Sequence, residues 1–220
     1  MNCKKYFMTM PTRLNHVKTQ LIMPNSIIVN SFCDINIIIP SSYVKDFKIK
    51  SKELCALTYI KTLELFINSS DEICIIFEDD IAIKNELLND INKIEKTCKE
   101  YNLDLIYLYH LNLNYKNISD INNIKYIDNL SDGNQAIMWS KKGAKKFLNN
   151  LPIILAKDEW LKNLIQKGIF NSLTTYNNYV ENLGCMGMCD FQSKMGSTIY
   201  NIKPTNNKYK LITLKNSILK

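Results

Sequence analysis

Two hydrophobic periods alternate along this chain. Short runs rich in β-branched and aromatic residues, "KKYFMTM", "SIIVNSF", "EICIIFE", "LDLIYLYHL" and "QAIMW", have the length and content of buried strands. Between them the apolar positions recur every three or four residues, which gathers them on one side of a helix. Leu87, Ile91, Ile94, Cys98 and Tyr101 mark a helix over 85–101, and Ala56, Ile60, Leu63 and Ile67 mark one over 51–67 with Ser51 as its N-cap. "PTRLNHVKTQL" predicts a first helix with Pro11 near its start. Ser140 stands where it would cap "KKGAKKFLNNL", whose inner face is Ala144, Phe147, Leu148 and Leu151. A final helix runs from near Asp158 to Gly168, a residue suited to the position after a C-cap. The polar, Asn-rich stretch 112–133 reads as a long excursion. Strand, helix and strand in repeated order predict an α/β layer architecture. With no internal repeat and no Pro/Gly/Ser linker, one domain over residues 1–202 is expected, followed by a basic C-terminal tail, 203–220, read as solvated.

Composition narrows the class only a little. At 220 residues, 46% hydrophobic and 22% charged, the chain can bury a sizeable core and is not a disordered sequence. No apolar run approaches a membrane span, and "YFMTM" is too short for the apolar region of a signal peptide, so a cytoplasmic location is expected. Seven cysteines, at 3, 33, 55, 74, 98, 185 and 189, mostly sit inside apolar patterns without a CxxC pair. They read as reduced thiols acting as small hydrophobes. Cys185 and Cys189 are half a zinc set at best, because the only histidines, His16 and His110, lie far away in sequence. The net charge of +7 comes from dispersed lysines, and outside the tail the sequence lacks the basic clusters interleaved with aromatics that mark nucleic-acid binding.

"CIIFEDDIAI" is where patterning and chemistry conflict. An interior strand runs into three consecutive carboxylates, Glu78, Asp79 and Asp80, and then returns to apolar residues. Open α/β sheets bind ligands outside the carboxyl ends of their strands. Side chains alternate along a strand, so Glu78 and Asp80 share a side and Asp79 faces away. An acid-x-acid pair of this kind can hold a hard divalent cation and leave its other positions to phosphate and water. A solvated acidic turn is the plain alternative.

Several pieces of the chain, in order, resemble the family 25 glycosyltransferases, which include lipopolysaccharide sugar transferases and collagen galactosyltransferases. They are "RLNHVKTQL", "SKELCALTYIKTLELF", "CIIFEDDIAI", "LDLIYLY", "WSKKGAKKFL", "DEWL" and "FQSKMGSTI". The resemblance implies a GT-A fold, a Rossmann-like mixed and mainly parallel sheet flanked by helices. It also implies transfer of galactose or another hexose, with inversion, from a UDP-sugar to a glycan or protein hydroxyl. Mn²⁺ or Mg²⁺ would be held by a DxD-like motif, with Asp80 and Glu78 as metal ligands. Arg13, Glu78, Asp79, Asp80 and His110 are the expected donor-binding residues, and Asp158, with Glu159 second, the catalytic base. Three features depart from the family pattern: Thr58-Tyr59 stands where a Ser-His pair is usual, "DGNQAIMWS" replaces a Gly-rich patch, and no proline precedes Gln192. A catalytically degenerate relative that only binds is therefore one alternative. A receiver-like signalling domain is another, but it would need an Asp where "DLIYLYHL" offers Tyr109 and His110.

Overall fold

The computed structural model describes residues 3–21, 23–34, 36–45, 49–111, 117–127, 133–183 and 210–213. Nine strands form one sheet in the order β11-β2-β1-β3-β8-β5-β9-β7-β6. They are β1 (Lys4–Thr9), β2 (Ser26–Asn30), β3 (Ile73–Phe77), β5 (Leu105–Tyr107), β6 (Ile118–Ile121), β7 (Ile124–Ile127), β8 (Ala136–Ser140), β9 (Ser172–Thr175) and β11 (Lys210–Thr213). The pairs β11–β2, β2–β1, β1–β3 and β5–β9 are parallel, whereas β8 runs antiparallel to both β3 and β5, and β7 to both β9 and β6. The chain is thus a mixed α/β protein with a large, mainly parallel sheet. A separate antiparallel pair joins β4 (Ile81–Ile83) to β10 (Val180–Asn182).

Strand alternation sorts the core into two layers. Tyr6, Met8, Cys74, Ile76, Ile137 and Trp139 face one side, under α2 (Lys50–Ile67), α4 (Lys141–Leu148) and α5 (Lys157–Gln166). Phe7, Ile73, Ile75, Phe77, Ala136 and Met138 face the other, under α1 (Leu14–Thr19) and α3 (Asn85–Glu100). This is the consequence of period-2 strands carrying apolar residues on both faces. The α3 stripe buries Leu87, Ile91, Ile94 and Cys98, in agreement with its sequence period, whereas Tyr101, the last expected member, is the C-cap residue and is exposed. Ser140 caps α4 by accepting from Gly143 N at 3.0 Å. Gly143 is required at that point, since a Cβ there would lie 2.1 Å from the Asp104 carbonyl oxygen.

Local readings that depended on tertiary neighbours come out differently. α2 starts at Lys50 with Ile49 as N-cap and no side-chain cap bond, so Ser51 is not the cap. Within the Asn-rich stretch, β6 and β7 form a hairpin whose turn residues Asn122 and Asn123 have φ of 54° and 61°. Asn is the non-glycine residue most tolerant of that conformation, which two-residue hairpin turns demand. Four residues of the segment read as a tail, Lys210–Thr213, pair with β2 at the sheet's edge. Cys185, Cys189 and Gln192 lie outside the described residues. Among the described residues no helix is long and apolar enough to cross a membrane.

Candidate active site

β1, β2, β3, β5 and β9 all point the same way, so their carboxyl ends share one edge of the sheet. A cavity of about 340 Å³ opens there. Its floor and walls come from the residues after β1 (Met10, Arg13), after β2 (Ser31, Phe32, Cys33), from α2 (Ser51, Leu54, Cys55, Thr58) and from the acid run Glu78, Asp79 and Asp80. Thr58 braces the wall, donating from Oγ1 to Leu54 O at 2.8 Å and accepting from Phe32 N at 3.2 Å.

The three acids have three different environments. Asp79 is buried and turned back toward β1, accepting from Met10 N at 2.7 Å and from Arg13 Nη1 at 2.7 Å. Arg13 therefore lines the cavity as one half of a charge-assisted pair. Glu78 is ion-paired with Lys157, while its backbone N–H donates to Gln135 O at 2.9 Å. Asp80 has neither arrangement. Its Oδ1 is buried with no hydrogen-bond partner among the described residues, and its backbone carbonyl accepts from Leu183 N at 2.7 Å. Burial, and next the negative charges of Glu78 and Asp79, push the Asp80 carboxyl up to about 6 against the opposing pull of Arg13 and of the residue's own backbone N–H.

Lys157 is the residue that sequence reasoning missed. A lysine at a helix start beside two acids has the pattern of a surface residue, yet this side chain is only 4% exposed. Its ammonium contacts Glu78, lies 3.5 Å from Asp158 Oδ1 and sits 4.6 Å from the centre of the Tyr59 ring. Burial by itself would lower its pKa; the charges of Glu78, then Asp158, overcome that and hold it well above its ordinary value. Tyr59 is fixed in turn, its hydroxyl accepting from Trp139 Nε1 at 2.7 Å. The signal available in the sequence was Tyr59 itself, an aromatic in the middle of a helix's buried face where a cation can stack.

The other expected site residues are placed less centrally. Asp158 is about half exposed and connects to the acid run through Lys157, without lining the cavity. Glu159 is exposed one position further on. His110 is not among the cavity's lining residues. It is buried against the 176–178 segment: Nε2 bonds Tyr176 O at 3.0 Å, its backbone N–H donates to Asn178 Oδ1 at 2.9 Å, and its carbonyl accepts from Asn178 Nδ2 at 3.0 Å. Two cysteines also depart from expectation. Cys3, Cys74 and Cys98 are buried as small hydrophobes, but Cys33 and Cys55 are exposed and line the cavity.

Taken together, three acids meet two fixed cations, and the uncompensated charge falls on Asp80. A buried carboxylate oxygen without a partner is costly unless a cation or proton joins it. Its hard oxygen donor fits Mg²⁺ or Mn²⁺, which commonly take one or two carboxylates and complete their shell with phosphate and water. Glu78 stands two residues away but is committed to Lys157, so Asp80 is the stronger ligand of the pair. No group of three or more His, Cys, Asp or Glu side chains suited to holding a metal by themselves occurs among the described residues.

No family model and no curated protein matches this chain. Among solved structures it is similar to S. aureus TarS residues 1–349, at 11% identity and a TM-score of 0.45 over 82% of this chain and 60% of that one. It is also similar to mouse xyloside xylosyltransferase 1 in its apo form, at 7% identity and a TM-score of 0.39 over 78% of each chain. The chain spans about 60% of the length of the TarS structure it matches.

Proposed function

We propose that this protein is a metal-dependent glycosyltransferase that moves a hexose from a UDP-sugar to a hydroxyl of a glycan or protein acceptor, with inversion at the anomeric carbon. The observation that carries this reading is the unpartnered Asp80 oxygen, set in a strand-end cavity beside an Arg13–Asp79 pair. A site left with net negative charge repels a diphosphate unless a cation comes with it, and a divalent ion on Asp80 neutralises both. The metal, when bound, stabilises the charge that builds on the departing diphosphate. Arg13 lies on the same cavity wall for donor phosphate or ribose oxygens.

On the acceptor side a hydroxyl oxygen bonds to the anomeric carbon as the bond from that carbon to the diphosphate oxygen breaks. The electron pair leaves with UDP, and the hydroxyl proton goes to a carboxylate. Asp158 is the proposed base, because Lys157 holds it in the same charge network as Glu78. Glu159, about 100° further round the helix, ranks second.

The test is a thermal-shift measurement with UDP or UDP-hexoses, with Mn²⁺ or with chelator. A ligand that binds only the folded state raises the melting temperature. The expected result is stabilisation by UDP with Mn²⁺ and much less after chelation. Equal stabilisation in both conditions overturns the metal bridge, and none with any nucleotide overturns the donor assignment.

A further inference from the structure

A second cavity, of about 270 Å³, lies on the same edge of the sheet. It is bounded by Asp90 of α3, by Asp120, Asn123 and Lys125 of the β6–β7 hairpin, and by Tyr176 and Asn177 in the loop after β9. The topology separates it from the acid run: β9, whose following loop forms the nearer wall, is three inter-strand steps from β3, or about 14 Å, and the β6–β7 hairpin lies one and two steps further.

The loop that builds it is held firmly for a surface connection. Tyr176 N donates to Lys125 O at 2.8 Å and Tyr179 N to Leu108 O at 2.9 Å. The Tyr179 hydroxyl donates to Asp90 Oδ2 at 2.9 Å, and the other oxygen of Asp90 accepts from Lys93 at 2.7 Å. His110 and Asn178 add three more bonds, which gives the buried His110 a role as the anchor of this loop. The hairpin turn opposite is fixed by its two left-handed asparagines.

The chemistry of the lining selects among ligands. Asp90 is paired with Lys93 of its own helix and Asp120 stands opposite Lys125 in the cross-strand register, so each carboxylate of the cavity has a lysine close by and little net charge is left to attract a phosphate or a cation. Its walls are too polar for an apolar ligand, and it is smaller than the roughly 300–1,000 Å³ of pockets that enclose drug-sized molecules. What remains is a compact, neutral molecule with many hydroxyls. Carboxylate and amide groups at Asp120, Asn123 and Asn177 can accept from and donate to neighbouring hydroxyls, and the Tyr176 ring offers an apolar face for the C–H side of a pyranose.

We propose that this second cavity binds a neutral hexopyranoside, at a site separate from the nucleotide cavity. On the glycosyl-transfer reading, on which only this clause rests, the bound sugar is part of the acceptor glycan.

The experiment is saturation-transfer difference NMR with three probes, methyl β-galactopyranoside, methyl α-glucopyranoside and methyl α-mannopyranoside, each at millimolar concentration. It compares wild type, Tyr176→Ala, Asp120→Ala and Asp80→Asn, with melting temperatures to verify folding. Asp120 is exposed, so its variant remains informative if Tyr176→Ala does not fold. The expected result is saturation of ring protons of at least one probe in wild type, a fivefold or greater loss in Tyr176→Ala and Asp120→Ala, and no change in Asp80→Asn. Absence of signal for all three probes in wild type overturns the proposal, as does a signal that survives both cavity variants or disappears in Asp80→Asn. Stabilisation by UDP with Mn²⁺, measured on the same samples, reports on the donor reading independently.

Discussion

Asp80→Asn should stabilise the metal-free protein at neutral pH. The substitution keeps the shape of the side chain and removes a charge whose Oδ1 has no partner among the described residues. The folded state raises this carboxyl from 3.8 to about 6, chiefly through burial. Two units at about 1.4 kcal/mol each set an upper figure of about 3 kcal/mol for the cost of ionising Asp80 in the fold. Partial solvent contact lowers this to roughly 1–2 kcal/mol. The sign follows from proton linkage: between the two pKa values the native state binds more protons than the unfolded chain, so stability falls as pH rises through that window. The cost is therefore absent below about pH 4, grows toward pH 6 and is complete above it.

Thermal denaturation in chelator, from pH 4.5 to 8, measures this directly as the difference between variant and wild type. Subtraction cancels the other titrating groups, including His16 and His110, which burial shifts downward and which oppose the trend. For a chain of this size 1–2 kcal/mol corresponds to about 2–8 °C. The variant should melt higher by that amount at pH 7.5, and the gap should narrow to about a third of that by pH 4.5 on its way to zero below pH 4. Mn²⁺ should then raise the wild type and leave the variant unmoved. A variant that is less stable than wild type at pH 7.5, by an amount that does not change with pH, would show that Asp80 is satisfied by hydrogen bonds in the native state and refute the reasoning.

Three further outcomes are expected. Lys157→Met removes the cation shared by Glu78 and Asp158; urea denaturation should show a loss of about 1–3 kcal/mol, and the Lys157→Met/Glu78→Gln double variant should lose less than the sum of the two singles, because they share one network. Asp158→Asn should leave UDP-sugar affinity near wild type and lower turnover by roughly 10²–10⁴, whereas an active Asp158→Asn enzyme with an inactive Glu159→Gln would move the base by one residue. Peptide mapping after brief alkylation should label Cys33 and spare Cys3, Cys74 and Cys98, and UDP with Mn²⁺ should slow labelling at Cys33 if the nucleotide occupies its cavity; Cys55 lines the same cavity, but burial pushes its thiol up to about 12 and it should react slowly.

What could be read in the sequence was whatever a single element decides for itself. The α3 stripe, the Ser140 cap, the β3 run and the acids at its end all follow from spacing within one segment, and the structure has each within a residue or two of its expected place. The β6–β7 hairpin was hidden because "ISDI" is almost wholly exposed and carries no buried-face pattern, and its turn uses Asn-Asn amid many other asparagines. β11 was hidden because four residues at a sheet edge gain their identity from β2, not from their own sequence.

The site divides along the same line. That Glu78, Asp79 and Asp80 form a charged strand end was legible; that they are chemically unequal was not. Their difference is imposed by Arg13, which is 66 positions from Asp79, and by Lys157, which is 79 from Glu78. Each cation removes one acid from the pool available to a ligand, and the fold brings no third cation to Asp80 among the described residues. Lys157 could take its place only because α2 supplies Tyr59 beneath the ammonium and Trp139 of β8 holds that ring. The position of one catalytic candidate, Asp158, thus depends on packing between three elements that share no sequence signal. An acidic motif can therefore be legible as a charged strand end, while the division of charge among its residues is decided by partners far along the chain.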